Sequence, residues 1–422
     1  MIRTASAVRR RARIRRSTLL GFLAVMGPGI ITGFAGNDAG GVTTYTAVGA
    51  HYGFAMLWLL LLSTAGLLVI QEMCARMGAV TGKGLSDLIR ERFGVRWTIV
   101  AMIALLVANG SNVVAEFAGA AAALELLGVQ RIVTVIAVAG FVLWLVARGS
   151  YRVAERAFLA ISLVFLAYPV TAFLAGPPWG EVLRETALPS FRLEGPYLFL
   201  FVATVGTTIT PYMQLFAQSA TVDKGVTVQE LGAARADAYI GAVFSNLVAY
   251  FIIVVTATTL YPQGITVQTA ADAARALTPL AGERAGLLFA IGLFGASVLA
   301  AAVLPLATSY TICGALGWER RLGTRFSDAH QFYSIIAFLV VMGAAITLLP
   351  VPLIPLIVGA QVLNGFLLPV ILIFILRLVN DRSLMGEHVN GPVYNVLAWG
   401  TTVFIGALSL ILLGVTFLGL GG

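Results

Sequence analysis

Long apolar segments alternate with short polar connections along most of the chain. A helix of about 20 mostly apolar residues crosses the hydrocarbon core of a bilayer, so each such segment predicts one membrane-spanning helix. The pattern predicts eleven spans, and polar residues interrupt the first and the sixth of them. The predicted spans are 19–50, 54–77, 97–127, 131–147, 153–175, 196–219, 231–260, 283–316, 328–349, 352–378 and 392–420. The sequence therefore predicts an all-α polytopic membrane protein.

The composition supports this class and excludes several others. Hydrophobic residues make up 59% of the 422 residues and charged residues only 11%, well below the roughly 25% charged residues of soluble domains. The two cysteines, Cys74 and Cys313, fall in different predicted spans, so we expect neither a disulfide framework nor a cysteine metal cluster. No polar linker is long enough to separate two domains. We therefore predict a tail at residues 1–17 followed by one transmembrane domain at residues 18–422.

The distribution of basic residues predicts the orientation of the chain. With eleven spans, 22 of the 27 basic residues lie on the same side as the N-terminus, and seven of these are arginines in the tail. Cytoplasmic segments carry this excess, so the N-terminus is predicted in the cytoplasm and the C-terminus outside, in a plasma membrane of prokaryotic type. The net charge of +8 then indicates contact with anionic lipid rather than nucleic acid.

The first interruption is the stretch Gly36-Asn37-Asp38-Ala39-Gly40-Gly41. An ionisable residue near the middle of a span costs at least about 2.5–3.5 kcal/mol on insertion scales, which makes Asp38 a candidate functional residue. The glycines allow the helix to unwind and to expose backbone carbonyls, and a carboxylate beside carbonyls suits a hard cation. The alternative is a packing helix softened by glycine, in which Asp38 pairs with another helix.

The second interruption lies between Gly206 and Pro211, around a threonine-rich stretch. Proline frees carbonyls of the preceding turn, although a simple proline kink is the alternative. The two broken spans are five helices apart, so the two halves of the chain are inverted with respect to each other. Broken helices at corresponding positions of two halves indicate the midplane site of a transporter. The repeats are predicted at about 18–176 and 196–379, followed by an extra helix at about 392–420.

Several motifs resemble those of the Nramp divalent-metal transporters. They are Gly27-Pro28-Gly29, Asp38-Ala39-Gly40-Gly41, Gly49-Ala50-His51-Tyr52-Gly53, Arg76 to Lys83, Glu116-Phe117-Ala118-Gly119, and Gln361-Val362-Leu363-Asn364-Gly365 before Pro369. The resemblance covers most of the chain and implies an inverted five-plus-five arrangement with an eleventh helix. This is an amino-acid/sodium-symporter-like fold, and it agrees with the count from hydropathy.

The residues that depart from the family pattern change the ligand atoms expected at the metal site. Asp38 keeps the metal-binding carboxylate of the family, but the family's binding asparagine falls on Gly41. In the sixth span the family reads Met-Pro-His-Asn, whereas this chain has Thr210-Pro211-Tyr212-Met213. A thioether favours transition metals, whereas oxygen ligands suit Mg²⁺, Ca²⁺ and Mn²⁺. The pattern is similar to the magnesium-transporting branch of the family.

The same comparison bears on proton coupling. Family members that couple to protons are thought to use histidines and carboxylates beside the site, and histidine titrates near neutral pH. A second family histidine falls on Ala217, and a family aspartate falls on Val113. Glu116 is retained, either as a possible proton relay or as a hydrogen-bonded packing carboxyl. We therefore expect transport without obligatory proton coupling.

These arguments give a set of candidate residues. Asp38 is the expected main ligand, carbonyls near Ala35 and Thr207 point to the same site, and Gly41 enlarges it. Thr210 and Gln361 are expected to hold the water shell of the ion. The remaining candidates set the helix breaks or relay protons: Gly40, Pro211, Tyr212 and Glu116.

The expected function is uptake of Mg²⁺, and also of Mn²⁺, by alternating access, with the ion largely hydrated at the midplane. The nearest alternative is a proton-coupled Mn²⁺/Fe²⁺ transporter. A sodium-coupled amino-acid carrier would use the same fold, but Asp38 fits poorly where a substrate carboxylate must bind. An intramembrane enzyme is not expected, because no second catalytic group accompanies Asp38; a channel stays open as an alternative. We expect no cofactor and no obligatory protein partner.

Overall fold

The computed structural model describes residues 37–148, 163–223, 225–318 and 329–417, and this part of the chain is helical without a strand. The described chain up to Thr208 contains α1 Ala39–Tyr52, α2 Leu57–Thr81, α3 Leu85–Glu125, α4 Arg131–Arg148, α5 Ala167–Ala175, α6 Trp179–Ala187 and α7 Gly195–Thr208. From Pro211 onward it contains α8 Pro211–Asp223, α9 Leu231–Thr259, α10 Ala270–Ala274, α11 Thr278–Ala281, α12 Ala285–Leu316, α13 His330–Thr347, α14 Leu353–Val379, α15 Arg382–Met385 and α16 Pro392–Phe417.

The helices confirm the predicted spans wherever the chain is described. Eight helical segments are long and apolar enough to cross a membrane, and the shorter apolar helices Arg131–Val146 and Val164–Ala175 correspond to the fourth and fifth predicted spans. The segment Gly195–Ser219 contains the predicted break, because α7 ends at Thr208 and α8 begins at Pro211. Of the first span, the structure describes Asn37, Asp38 and α1, and the residues before Asn37, including Ala35, lie outside the described ranges.

Two of the connections contain short helical segments. A kink at Gly94, where φ is +76° and ψ is 177°, divides α3 into a short segment that begins at Leu85 and the third predicted span that follows the kink. The connection between α9 and α12 contains the short helices α10 and α11. There α10 begins at Ala270, where Thr269 accepts a hydrogen bond from the Asp272 amide and caps the helix.

Contacts between the connections pair segments that the charge distribution assigns to the same side. The predicted inner end contains the pairs Arg76 with His388, Arg235 with Glu72, Arg92 with Asp381, Gln218 with Lys83 and Arg90 with Ala315. The predicted outer end contains Trp58 with Ser190, and Arg131 with Leu349 and Val351. One span more or less would place several of these partners at opposite ends of the bundle, so the contacts support the span count.

The long helix α3 forms the centre of the bundle and packs against α12, α13 and α14. Its buried stretch from Ala115 to Ala123 is rich in alanine and glycine, which lets neighbouring helices approach closely. At Gly119, an added Cβ would lie 2.3 Å from the Ala39 Cβ and 2.6 Å from the Ser297 hydroxyl. This close packing brings the start of α1 against α3 and thereby positions the candidate site.

A buried charge network ties helices together at the predicted inner end. The Glu72 carboxylate on α2 is fully buried and accepts hydrogen bonds from Arg76 at 3.0 Å and from Arg235 on α9 at 2.7 Å. Arg76 also donates to the His388 carbonyl and to the Asn390 side chain, in the connection between α14 and α16. One carboxylate thus joins α2, α9 and this connection.

We expect Glu72→Gln to destabilise the protein. The substitution keeps the shape of the side chain but leaves the buried Arg76 guanidinium without its anion. Breaking a buried pair on one side costs about 3–5 kcal/mol. Thermal unfolding in detergent measures the effect, with Glu91→Gln as the control. Glu91 pairs with Lys83 on the surface, where such a pair contributes about 0–1 kcal/mol. Equal midpoints for the two variants would contradict a structural role for the network.

Candidate metal site

Asp38 forms the N-terminal cap of α1. Its backbone is extended, with φ −74° and ψ −178°, and its Oδ1 accepts a hydrogen bond from the Gly41 amide at 2.8 Å. Aspartate is a preferred residue at this position, because its side chain satisfies an amide that has no partner within the helix. Asp38 is buried, and the positive end of the α1 dipole favours its negative charge. The break therefore holds a carboxylate with a fixed orientation inside the bundle.

Glu116 brings a second carboxylate to the same helix end. Its Oε2 accepts a hydrogen bond from the Ala39 amide at 3.3 Å, although Glu116 lies on α3. Its Oε1 is buried and has no hydrogen-bond partner among the described residues. A buried carboxylate oxygen without a partner is unusual and points to a water or an ion in that space. Asp38 and Glu116 thus both cap the first turn of α1.

Gln361 on α14 approaches this end from the other side. A Cβ added to Gly40 would lie 2.1 Å from the Gln361 Nε2 and 3.3 Å from the Asp38 Oδ1. The absence of a side chain at Gly40 therefore lets the Gln361 amide and the Asp38 carboxylate come to the same place. The structure brings together Asp38, Gly40, Gly41, Gln361 and Glu116 as predicted neighbours.

Two further amides complete this side of the site, and sequence reasoning did not assign them a role. Asn112 on α3 accepts a hydrogen bond from the Gln361 Nε2 at 3.2 Å, and Asn364 donates to the Gln361 Oε1 at 3.0 Å. Asn364 also donates to Asn112, so the three fully buried amides form a closed triangle. Asn364 lies three residues after Gln361, and this spacing on one helix face was the available signal.

The second break lies between α7 and α8. Thr207 and Thr208 end α7, and Pro211 begins α8, so Thr210 lies in the non-helical link. The Tyr45 hydroxyl on α1 and the Thr208 Oγ1 are 2.9 Å apart, which joins this break to the helix that begins at Asp38. The Thr210 hydroxyl is buried and has no hydrogen-bond partner among the described residues.

Further polar side chains line the surroundings of both breaks. Asn37 donates from its Nδ2 to the Ser245 hydroxyl on α9 at 3.4 Å. Gln214, one turn after Thr210, is buried, and its Oε1 lacks a hydrogen-bond partner within the described ranges. The predicted break residue Tyr212 is half-buried beside it. The described residues contain no group of three or more His, Cys, Asp or Glu side chains that could hold a metal, so any ion here must rely on amides, hydroxyls and carbonyls beside the carboxylates.

Gly40→Ala tests the contact between Gly40 and Gln361. The added methyl group meets the end of a flexible side chain, so we expect the fold to survive and the Gln361 amide to be displaced from Asp38. Because partners of a metal ligand typically contribute 10–100-fold to affinity, we expect the half-saturating metal concentration for uptake to rise by at least about tenfold. Gly140→Ala is the control, since nothing lies within 4 Å of its added Cβ. Unchanged uptake in Gly40→Ala would exclude Gln361 from the site.

Comparison with known proteins decides the family. The natural resistance-associated macrophage protein-like family, or Nramp, matches residues 29–414. The chain belongs to the Nramp family. Among curated relatives, the divalent metal cation transporter MntH of Ralstonia nicotianae is 29% identical over 398 residues, covering 88% of this chain and 86% of that protein. MntH of Bacillus subtilis is 26% identical over 409 residues, covering 94% of this chain and 93% of that protein.

Solved structures confirm the predicted fold. The Eremococcus coleocola manganese transporter, in complex with an aromatic bis-isothiourea compound, superimposes with a TM-score of 0.78 at 20% identity, covering 94% of this chain and 88% of that one. Mhp1, a nucleobase-cation-symport-1 family transporter, has a TM-score of 0.54 at 15% identity, covering 91% of this chain and 89% of that one. The Nramp chain therefore has the inverted symporter-like architecture, and the described residues show the break in its sixth span between Thr208 and Pro211.

Proposed function

We propose that this Nramp protein takes up a divalent metal ion by alternating access, and that the ion is Mg²⁺, bound largely hydrated between the two breaks. The observation that carries the proposal is the meeting of Asp38 and Gln361 at Gly40, at the interrupted start of α1. The Asp38 carboxylate would supply the charge, and the Gln361 amide would hold the water shell. Mg²⁺ dehydrates reluctantly and is usually bound through one or two carboxylates while it keeps several waters.

The side chains at the breaks support a hard ion. Thr210 stands where the family pattern has a methionine, and hydroxyl, amide and carboxylate oxygens suit Mg²⁺, Ca²⁺ and Mn²⁺ better than softer transition metals. The contacts of His51 and His388 lie away from the breaks. His51 meets the Ala47 carbonyl and the Tyr52 ring at the far end of α1, and the His388 carbonyl accepts from Arg76 at the predicted inner end. Imidazole therefore contributes to neither break through these contacts.

The driving force follows from the charge of the ion. Two positive charges moving through 100 mV gain about 4.6 kcal/mol, which is sufficient for uptake without a coupled proton. Alternating access would move the broken helices relative to the rest of the bundle, opening the site to one side at a time.

Proton-coupled Mn²⁺ uptake is the second candidate. The names of the curated relatives, divalent metal cation transporter MntH, and of the Eremococcus coleocola manganese transporter favour it. Glu116 would then relay the proton, since its carboxylate shares the first turn of α1 with Asp38. The two candidates use the same site and differ in the ion and in the coupling.

Ion selectivity in proteoliposomes separates them. We expect wild-type protein to take up Mg²⁺ in a saturable manner, and Thr210→Met to raise the ratio of Mn²⁺ to Mg²⁺ uptake by about tenfold, because a thioether prefers softer ions. Thr401→Met provides the control, since Thr401 lies on α16, in neither break. Wild-type uptake of Mn²⁺ without any Mg²⁺ signal would overturn the magnesium proposal and support the second candidate.

A further inference from the structure

A groove of about 650 Å³ opens at the predicted inner end of the bundle, where α3, α14 and the start of α16 meet. Two arginines, Arg92 and Arg377, and the indole of Trp399 line it. The groove involves none of the candidate residues at the breaks. It is therefore a separate feature of the molecule.

The groove lies at the border between the apolar and the polar surface of the bundle. Next to it, Trp97 is 56% exposed, Val393 67% and Val396 72%, and such exposed apolar side chains face lipid in a membrane protein. The polar connection between α14 and α16 begins at Asn380, directly after the last turn of α14. Tryptophan and arginine together are typical of the headgroup level on the cytoplasmic side.

Specific contacts hold one of the two arginines in the groove, and the other is exposed. Arg92 donates to the Ser383 hydroxyl at 2.7 Å and pairs with Asp381. Hydrogen bonds from Ser383 and the charge of Arg92 hold the pKa of Asp381 below its ordinary value, so this carboxylate stays ionised and keeps Arg92 in place. Arg377 is exposed and has no hydrogen bond or ion pair within the described residues, so one guanidinium in the groove is left for an anion.

The floor of the groove connects to the charge network around Glu72. Asn380 and Asn395 exchange two side-chain hydrogen bonds of 2.8 and 2.9 Å beneath the arginines. The Asn395 Oδ1 also accepts from Asn390 at 3.1 Å, and Asn390 accepts from Arg76. Asn395 and Asn390 would thus connect a ligand in the groove to Arg76, which pairs with Glu72.

We propose that this groove binds the headgroup of an anionic phospholipid of the inner leaflet, with its phosphate on Arg377 and Arg92. Guanidinium groups bind phosphate oxygens in a bidentate manner, and basic pockets between membrane helices on the cytoplasmic side bind anionic headgroups. Trp399 lies at the glycerol level, and the exposed apolar residues beside the groove contact the acyl chains. The bound lipid stabilises the connection between α14 and α16 and, through Asn395 and Asn390, the contacts of Arg76 with this connection.

Native mass spectrometry of the full chain in detergent tests the proposal. Phosphatidylglycerol and phosphatidylcholine are titrated against wild type, Arg377→Gln and Arg382→Gln. We expect saturable binding of phosphatidylglycerol in preference to phosphatidylcholine, and about fivefold weaker binding in Arg377→Gln, the loss expected for one arginine near a lipid surface. Arg382→Gln is the matched control, because this exposed arginine lies in the same connection but does not line the groove.

Three outcomes would overturn the proposal. Equal weakening in both variants would mean that diffuse surface charge attracts the lipid. Equal binding of the two lipids would mean that the arginines do not recognise the headgroup charge. Displacement of phosphatidylglycerol by inorganic phosphate or glycerol 3-phosphate at similar concentrations would assign the groove to a soluble phosphate instead of a lipid.

Discussion

Asp38→Asn should abolish divalent metal uptake and leave the fold intact. Asparagine caps a helix about as well as aspartate, so the hydrogen bond from the Gly41 amide is retained. The substitution removes the negative charge and one strong oxygen ligand, and the nearest other carboxylate is that of Glu116, which accepts from the Ala39 amide in the same turn. Even outer partners of metal sites contribute up to about 100-fold to affinity or activity, so we expect a loss of at least about 100-fold.

Asp272→Asn serves as the matched control for this experiment. Asp272 also accepts hydrogen bonds at the start of a helix, α10, but it lies in an outer connection rather than in a break. Uptake of a divalent ion into proteoliposomes and the thermal midpoint are measured for both variants. Loss of uptake only in Asp38→Asn, at unchanged midpoints, supports a ligand role. Normal uptake in Asp38→Asn would mean that Asp38 is a helix cap and nothing more.

Gly206→Ala should disrupt the bundle. A Cβ at this position would lie 2.1 Å from the Gln361 carbonyl oxygen and 2.5 Å from the Gly365 amide nitrogen. Both atoms belong to the backbone of α14, so no side chain can rotate away, and α7 and α14 must separate. Overpacking a well-packed core costs about 1–3 kcal/mol, and we expect the upper end of that range here. Because the displaced backbone carries Gln361, uptake should fall together with stability.

Gly359→Ala is the control, since it lies on α14 and nothing stands within 4 Å of its added Cβ. Thermal unfolding in detergent and metal uptake are measured side by side. We expect Gly359→Ala to behave as wild type and Gly206→Ala to unfold at a clearly lower temperature. Matching midpoints would show that the close approach of α7 and α14 does not constrain the fold.

The sequence predicted the features that depend on local chemistry. The spans follow from runs of apolar residues, and the sixth break follows from Pro211, which cannot continue the helix of Thr207 and Thr208. The capping role of Asp38 was not predicted, although the cap and the amide from which it accepts a hydrogen bond lie only three residues apart. Such signals survive in a single sequence because they need no information about distant helices.

The other features that were not predicted depend on contacts between helices that are far apart in the sequence. Asn112 and Gln361 are separated by 249 positions, and nothing near either residue indicates the other. The same is true of Arg76 and Asn390, 314 positions apart, so the sequence did not reveal the charge network at the inner end. Glu116 became a candidate only through the family resemblance, and the structure gives it a defined contact with the Ala39 amide.

The central claim is that Mg²⁺ crosses through the site at Asp38 without a coupled proton. Proteoliposomes loaded with a Mg²⁺-sensitive dye and a pH-sensitive dye test it most directly, under an inside-negative membrane potential. We predict saturable Mg²⁺ uptake with constant internal pH in wild type, and no uptake in Asp38→Asn. Acidification in proportion to the ion entering, at one proton or more per ion, would contradict the account and assign the chain to proton-coupled metal transport.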